Sequence, residues 1–191
     1  MDEHMDTDTF LQILANETGE KPEDILCFDL SVYHYAEPVR TGFSGDMFMA
    51  PRIDNISSVQ ACLTGLIEAN PSDGISVAVL FDHEEIGSRS KNGANGNLLS
   101  YTLERICNAI NISRENFLQS LVHSYYLSLD VAHAIHPAHP EKSDITSAMP
   151  LNRGFAIKAS AKHAYCSDDD MTGVILQLAA RHHIACQQNH M

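Results

Sequence analysis

Apolar residues recur along the chain in two spacings, one typical of amphipathic helices and the other typical of buried strands. Spacing near 3.6 residues predicts four helices, around 10–14, 57–69, 99–110 and 113–123. A fifth helix is predicted after 168–170, where three aspartates favour a helix N-terminus. Continuous apolar runs predict strands buried on both faces, at ISVAVLF (75–81), YYLSLDV (125–131) and GFAIKAS (154–160).

Strand and helix alternate from about residue 50 onward, and IACQQNHM at 184–191 resembles a further strand. This alternation predicts an α/β fold with a mostly parallel sheet flanked by helices. Before that point, EDILCFDLSVYHY (23–35) has strand character and RTGFSGDM (40–47) is rich in turn residues. A length of 191 residues predicts one domain with a substantial core.

Carboxylates occur where three of these elements begin or end. Asp54 precedes a helix, Glu84 and Glu85 follow the run 75–81, and Asp130 lies at the end of the run 125–131. Ligands bind beyond the carboxyl ends of strands in such sheets, and carboxylate oxygens can hold zinc, manganese or magnesium. Two adjacent glutamates can also divide the work, because one can ligate a metal while the other moves a proton.

Each of these residues also has a plainer interpretation. An acid before a helix is usually an N-cap, which applies to Asp54. A Glu-Glu pair is usually part of an exposed turn. His133 and His136 fit a helix-surface or capped pair, and Lys158 is either a buried anion-binding ammonium or an edge-strand lysine. The residue types alone therefore leave a metal site open without requiring it.

The charge balance narrows the class of partner. There are 25 acidic and 12 basic residues, giving a formal net charge of −13, which disfavours nucleic acid and anionic membrane as partners. No apolar run approaches the roughly 20 residues of a membrane span, and the first residues lack the pattern of a signal peptide. Five scattered cysteines are typical of reduced thiols in a cytoplasmic protein.

Several stretches of the chain resemble one family, the aspartyl aminopeptidases. They run in the family's order across about 22–167: PEDILCFDLSVY, PRIDNISS, LFDHEEIGSRSKNGA, LSLDVAHAIHP, PLNRGFAIK and KHAYCS. The family consists of dinuclear zinc exopeptidases that remove N-terminal acidic residues from peptides. The resemblance therefore implies a zinc-exopeptidase-like catalytic domain, with manganese or cobalt as alternative metals and a large homo-oligomer as the assembly.

The resemblance also implies a role for individual residues at the metal centre. Asp54 is similar to the carboxylate that bridges the two metals, and Glu84 to the general base that deprotonates the attacking water. Glu85 and Asp130 are similar to terminal ligands of one metal each. The peptide bond after the bridging aspartate is often cis in related enzymes, so a cis bond is expected between Asp54 and Asn55.

Three further residues resemble positions that bind substrate. His133 matches a histidine near the substrate, while Lys158 and Tyr165 match residues that help to bind it. Where the family usually has Asn-Tyr after His-Pro, this chain has Ala138-His139. The stretch at 147–150, SAMP, also departs from the family pattern, so the preference for Asp or Glu is less firmly implied than the reaction.

The resemblance implies a chain that is incomplete at both ends. Residues 1–45 resemble the end of an inserted dimerisation domain, and residues 46–191 resemble part of the catalytic domain. The family's two histidine ligands fall outside the matched region, and His190 is a poor substitute. Because carboxylates without imidazole bind zinc weakly, we expect this chain alone to have little or no activity.

Two other functions remain as alternatives. One is a non-catalytic assembly or interaction fragment that associates with full-length homologues. The other is a different metallohydrolase whose site is completed by histidines of a partner.

Overall fold

The computed structural model describes residues 6–71, 73–144, 146–160 and 167–190, and it divides the chain into two compact units at residues 51 and 52. The division lies close to the predicted domain boundary at 45 and 46. Whether the first unit is the end of an inserted dimerisation domain stays a prediction.

The first unit contains one helix and one hairpin. Helix α1, Thr7–Thr18, begins where the Asp6 carboxylate accepts a hydrogen bond from Thr9 N at 2.8 Å. It ends at Gly19, whose φ of 74° is left-handed, as in many helix ends. Strands β1, Val39–Thr41, and β2, Met47–Met49, pair antiparallel across the predicted turn. No strand forms at 23–35, and a 3-10 turn, Pro22–Asp24, lies at the beginning of this segment. The hairpin was not predicted.

The second unit contains the other four helices, all of which were predicted. They are α2 (Ile53–Glu68), α3 (Leu98–Ala109), α4 (Arg114–Val122) and α5 (Asp169–Arg181). The caps follow the sequence, because the Ser113 side chain accepts from Asn116 N and the Asp168 carboxylate accepts from Met171 N. Helices α3 and α4 contact one another and share an ion pair between Arg114 Nε and Glu104 Oε1 at 3.0 Å.

Two predicted strands form a small parallel sheet in this unit. Strand β3, Phe155–Ala159, pairs in parallel with β4, Cys186–His190, in the register Phe155 to Cys186 through Ala159 to His190. Gly154 precedes β3 with a φ of 91°, and a Cβ added there would clash with the Ala185 carbonyl oxygen. Only glycine fits this approach. The predictions for 154–160 and for the last residues are confirmed.

The other two strand predictions in this unit are wrong. Segments 75–81 and 125–131 belong to neither a helix nor a hydrogen-bonded strand, and their apolar side chains are largely exposed, with Leu80 54% and Leu127 59% accessible. A strand is stable only when a neighbour satisfies its backbone, and the described residues provide none for these runs. The two runs have the apolar composition of strands, but the described residues contain no strand that pairs with them.

The predicted core is also much smaller than expected. Among the described residues, four apolar side chains are buried, namely Ala15, Phe117, Met149 and Ala179. An apolar face is buried only when a second layer of structure packs over it, and a two-stranded sheet covers little of such a face. Within the described part of the chain, no helix is long and apolar enough to cross a membrane.

Candidate metal and substrate site

Asp54 lies at a break in the backbone at the beginning of α2. The peptide bond between Asp54 and Asn55 is cis, which confirms the expectation drawn from the resemblance. Both residues have non-helical backbone angles, and the cap position of the helix falls on Arg52. The Asp54 carboxylate is exposed at this break, and its interpretation as an N-cap stays a prediction.

Glu84 and Glu85 begin a 3-10 turn, Glu84–Ile86, directly after the apolar run. Both glutamates are exposed, as the interpretation of a solvated turn expects. The residue before them, His83, has a left-handed backbone with φ 60°, and its Nδ1 lies 2.6 Å from Ser90 Oγ. The His83 carbonyl also accepts from Ser88 N at 2.9 Å. These bonds connect His83 to Ser88 and Ser90, so the beginning of the loop that contains the two glutamates is fixed by the end of the loop.

Asp130 is joined to Lys158 across 28 residues of sequence. Lys158 Nζ lies 3.1 Å from Asp130 Oδ2, and Val131 N donates to Asp130 Oδ1 at 2.8 Å. The Lys158 side chain is 22% accessible and that of Asp130 is 49% accessible. Lys158 belongs to β3, and its charge is directed at a carboxylate rather than at open solvent. In the described sheet β3 has a neighbour on one side only, so Lys158 lies on an edge strand while its ammonium contacts a carboxylate, and both alternatives stay open.

His133 and His136 are exposed and lie in a segment that is neither helix nor strand, so the interpretation as a helix-surface pair is wrong. His136 Nδ1 accepts from Ala138 N at 3.2 Å, so residues 136–138 form a turn. The His139 ring centroid lies 5.3 Å from that of His136, and His139 Nδ1 lies 3.2 Å from Glu141 Oε1. These contacts order the turn that follows His133. Tyr165 lies outside the described residues.

The sequence analysis did not identify two features of the segment at 144–150. Three donors, Thr146 Oγ, Thr146 N and Ser147 N, bond to the Asp144 carboxylate. The hydrogen bond from the Thr146 side chain is the largest of several causes that hold the pKa of Asp144 below its usual range. The Asp-x-Thr-Ser pattern is a recognisable turn signal.

The second feature is a buried asparagine at the end of β4. Asn189 is 7% accessible, and its Nδ2 donates to the Ser147 carbonyl at 3.2 Å. Among the described residues, its Oδ1 is buried without a hydrogen-bond partner. No sequence signal marks this residue, because its burial depends on the fold of 147–150 over the sheet.

The carboxylates fit a divalent cation by type but do not complete a site for it. Zinc sites use three or four protein ligands, usually with histidine or cysteine among them. Among the described residues, no group of three or more His, Cys, Asp or Glu side chains is arranged to hold a metal ion. Asp130 and Lys158 are two predicted site residues that contact one another in this part of the chain. The described residues therefore do not form a zinc centre by themselves.

Comparison with known proteins places these residues in a family context. The profile of the M18 family, described as aminopeptidase I zinc metalloprotease, matches residues 2–191. The chain is 37% identical over 181 residues to a probable M18 family aminopeptidase 2 of Clostridium novyi (strain NT), covering 95% of this chain and 42% of that protein. It is 32% identical over 184 residues to an aspartyl aminopeptidase of Aspergillus oryzae, covering 90% of this chain and 37% of that protein.

Solved structures agree with the sequence relatives. The mApe1 dodecamer of S. cerevisiae resembles this chain with a TM-score of 0.79 and 25% identity, over 95% of this chain and 43% of that one. The predicted α/β fold class is therefore confirmed, and the chain spans less than half of the length of the relatives named here. The predicted aminopeptidase and zinc assignments agree with the description of the family. The chain belongs to the M18 family of aminopeptidase I zinc metalloproteases.

Proposed function

We propose that this chain supplies the carboxylate part of the active centre of an aminopeptidase that releases N-terminal Asp or Glu residues from peptides. The observation that carries the proposal is the family match over residues 2–191. The aspartyl aminopeptidase of Aspergillus oryzae, 32% identical, supports the acidic preference. Because the chain spans less than half of these relatives, the complete enzyme needs protein beyond these 191 residues.

The roles assigned to the carboxylates are those that the resemblance to the aspartyl aminopeptidases implies. We assign Asp54 as the ligand shared by two zinc ions, and Glu85 and Asp130 as ligands of one ion each, with manganese or cobalt as alternative metals. Glu84 is assigned as the general base, which takes a proton from the attacking water and passes it to the leaving amine. Its exposure on the turn that it shares with Glu85 supports this role, because the carboxylate is accessible to water.

Substrate binding is assigned to His133, Lys158 and Tyr165. A lysine ammonium suits an acidic side chain or a terminal carboxylate. The ion pair supports this assignment, since Lys158 Nζ lies 3.1 Å from a carboxylate oxygen of Asp130. An acidic substrate then competes with Asp130 for the same charge.

A second candidate function is assembly with further copies or with full-length homologues. The described residues include many exposed large apolar side chains, such as Phe43, Phe48 and Tyr35. Exposed apolar surface of this extent favours association. The S. cerevisiae mApe1 structure is a dodecamer, which supports a homo-oligomer for the complete protein.

The four described cysteines are free thiols, which supports a cytoplasmic location.

A chimera tests the catalytic proposal. The matching region of the Clostridium novyi relative would be replaced by residues 2–191, and hydrolysis of aspartyl, glutamyl and leucyl chromogenic amides would be compared. We expect the acidic amides to be cleaved faster and Glu84→Gln to lower kcat by about a hundredfold or more. Glu23→Gln, in the first unit, is the matched control and should leave kcat unchanged. A folded chimera in which Glu84→Gln has full activity would refute the assignment.

A further inference from the structure

The contact between Lys158 and Asp130 joins two segments of the second unit, one paired in a sheet and the other without a strand partner among the described residues. Lys158 is fixed by strand β3, where its backbone is paired with Asn189 of β4. Asp130 ends the segment 125–131, which has no strand partner among the described residues. The distance of 3.1 Å between Nζ and Oδ2 therefore ties an unpaired segment to the sheet.

The pair is better placed to matter than an ordinary surface ion pair. Exposed pairs contribute little because water screens them and because two long side chains must be ordered. Here the Lys158 side chain is 22% accessible, and the Asp130 side chain, although 49% accessible, is already oriented by the bond from Val131 N to its other oxygen. Less freedom is lost when the contact forms, and the charges are less screened than at an exposed site.

The same contact bears on cation binding at Asp130. A zinc ion lies roughly 2 Å from a carboxylate oxygen, so an ion on Asp130 would come within about 5 Å of the Lys158 ammonium. Positive charges at that separation repel one another. Both Asp130 oxygens already accept from a donor, Lys158 Nζ on one and Val131 N on the other. Lys158 therefore places a positive charge beside the carboxylate, and Val131 N helps to fix the orientation of the carboxylate.

We infer that Lys158 is the resident counter-cation of Asp130 in this chain, where it anchors the segment 125–131 to β3 and occupies the electrostatic place of a metal ion. The inference rests on the proposed function only in naming Asp130 as a metal ligand. The ion pair itself stands on the geometry.

A double-mutant cycle tests the inference on the full chain. The variants are Asp130→Asn, Lys158→Met and their combination, and the measured quantity is the urea midpoint of unfolding with and without added zinc. We expect each single change to lower the midpoint and the double change to lower it by less than the sum. The coupling should shrink at high salt and should be unchanged by zinc. Additive effects, or a coupling that zinc removes, would overturn the inference.

Two controls keep the test decisive. The cycle of Glu104→Gln with Arg114→Met removes a pair with a similar distance of 3.0 Å but with 40% and 76% accessible side chains, and it should show the smaller coupling. If a variant fails to fold, the acetylation rate of Lys158 in the unaltered chain is measured against that of exposed Lys91. We expect Lys158 to react several-fold more slowly, and equal rates would contradict the ion pair.

The outcome is independent of the catalytic test. An inactive chimera would reject the proposed function and leave the coupling between Asp130 and Lys158 as measured. An absent coupling would reject the counter-cation and leave the hydrolysis assay as measured.

Discussion

His83 Nδ1 lies 2.6 Å from Ser90 Oγ, so the loop that begins with Glu84 and Glu85 is closed by a side-chain hydrogen bond next to the two glutamates. The backbone bonds from Ser88 N to the His83 carbonyl and from Asn95 N to the Ser88 carbonyl continue the closure. The orientation of the glutamates therefore depends on residues that carry no catalytic role in the proposal.

The first prediction concerns this closure. Ser90→Ala removes the bond to His83 Nδ1, and a hydrogen bond of this kind contributes about 1 kcal/mol. Amide hydrogen exchange of Ser88 and Asn95 should accelerate by roughly five-fold, since their protection requires the closed loop. Ser100→Ala, on the exposed face of α3, is the control and should leave both amides unchanged. Equal protection in the two variants would show that the bond does not hold the loop.

The second prediction concerns the entry to β3. Gly154→Ala places a Cβ against the Ala185 carbonyl oxygen, while Gly87→Ala meets nothing within 4 Å. The two glycines have almost the same φ, 91° and 93°, so both variants carry a similar backbone cost. Urea unfolding should therefore lose about 1–3 kcal/mol more in Gly154→Ala than in Gly87→Ala. Equal losses would mean that β3 and β4 do not approach as closely as described.

The third prediction concerns pH. Hydrogen bonds from Thr146 and Ser147 lower the pKa of Asp144 in the folded chain. The stabilisation is therefore complete above the unfolded pKa and is lost as pH falls through the lower folded pKa, in the range below about pH 4. Asp144→Asn should flatten the fall in the unfolding midpoint over that range. Asp73→Asn, on an exposed loop, is the control, and an equal effect of the two changes would contradict the assignment.

The fourth prediction concerns the cap of α5. Asp168 accepts from Met171 N at 2.7 Å, and removing such a cap typically costs about 1 kcal/mol of unfolding free energy. Asp168→Ala should therefore lower the stability by that amount in urea. Asp168→Ser retains an oxygen acceptor and should lose only a few tenths of a kcal/mol. If alanine and serine were equally destabilising, the bond to Met171 would not be the source of the stability.

Local sequence signals predicted the helices and the last strand pair, because a cap or a 3.6-residue spacing is defined by residues that are close together in the sequence. Ser113 and Asp168 cap helices where the sequence indicated, and 154–160 contains β3. The runs 75–81 and 125–131 were predicted as strands because their composition is apolar, but pairing depends on a neighbour that composition does not specify.

The candidate site was predicted less completely than the helices. The cis bond at Asp54 followed from family resemblance, whereas the left-handed backbone of His83 and the burial of Asn189 depend on tertiary contacts. The ion pair between Lys158 and Asp130 joins residues 28 apart, and residue types alone gave no register for it. Positions of proposed ligands are therefore readable from motifs, while their contacts require the fold.

The central claim is that this chain holds the carboxylates of an M18 metal centre without completing the centre. It is tested most directly by the amount of zinc that the purified 191-residue chain retains after dialysis against micromolar zinc. We predict well below one zinc per chain, with no further loss in Asp54→Asn. A zinc content near one or two per chain that falls in Asp54→Asn would contradict the claim.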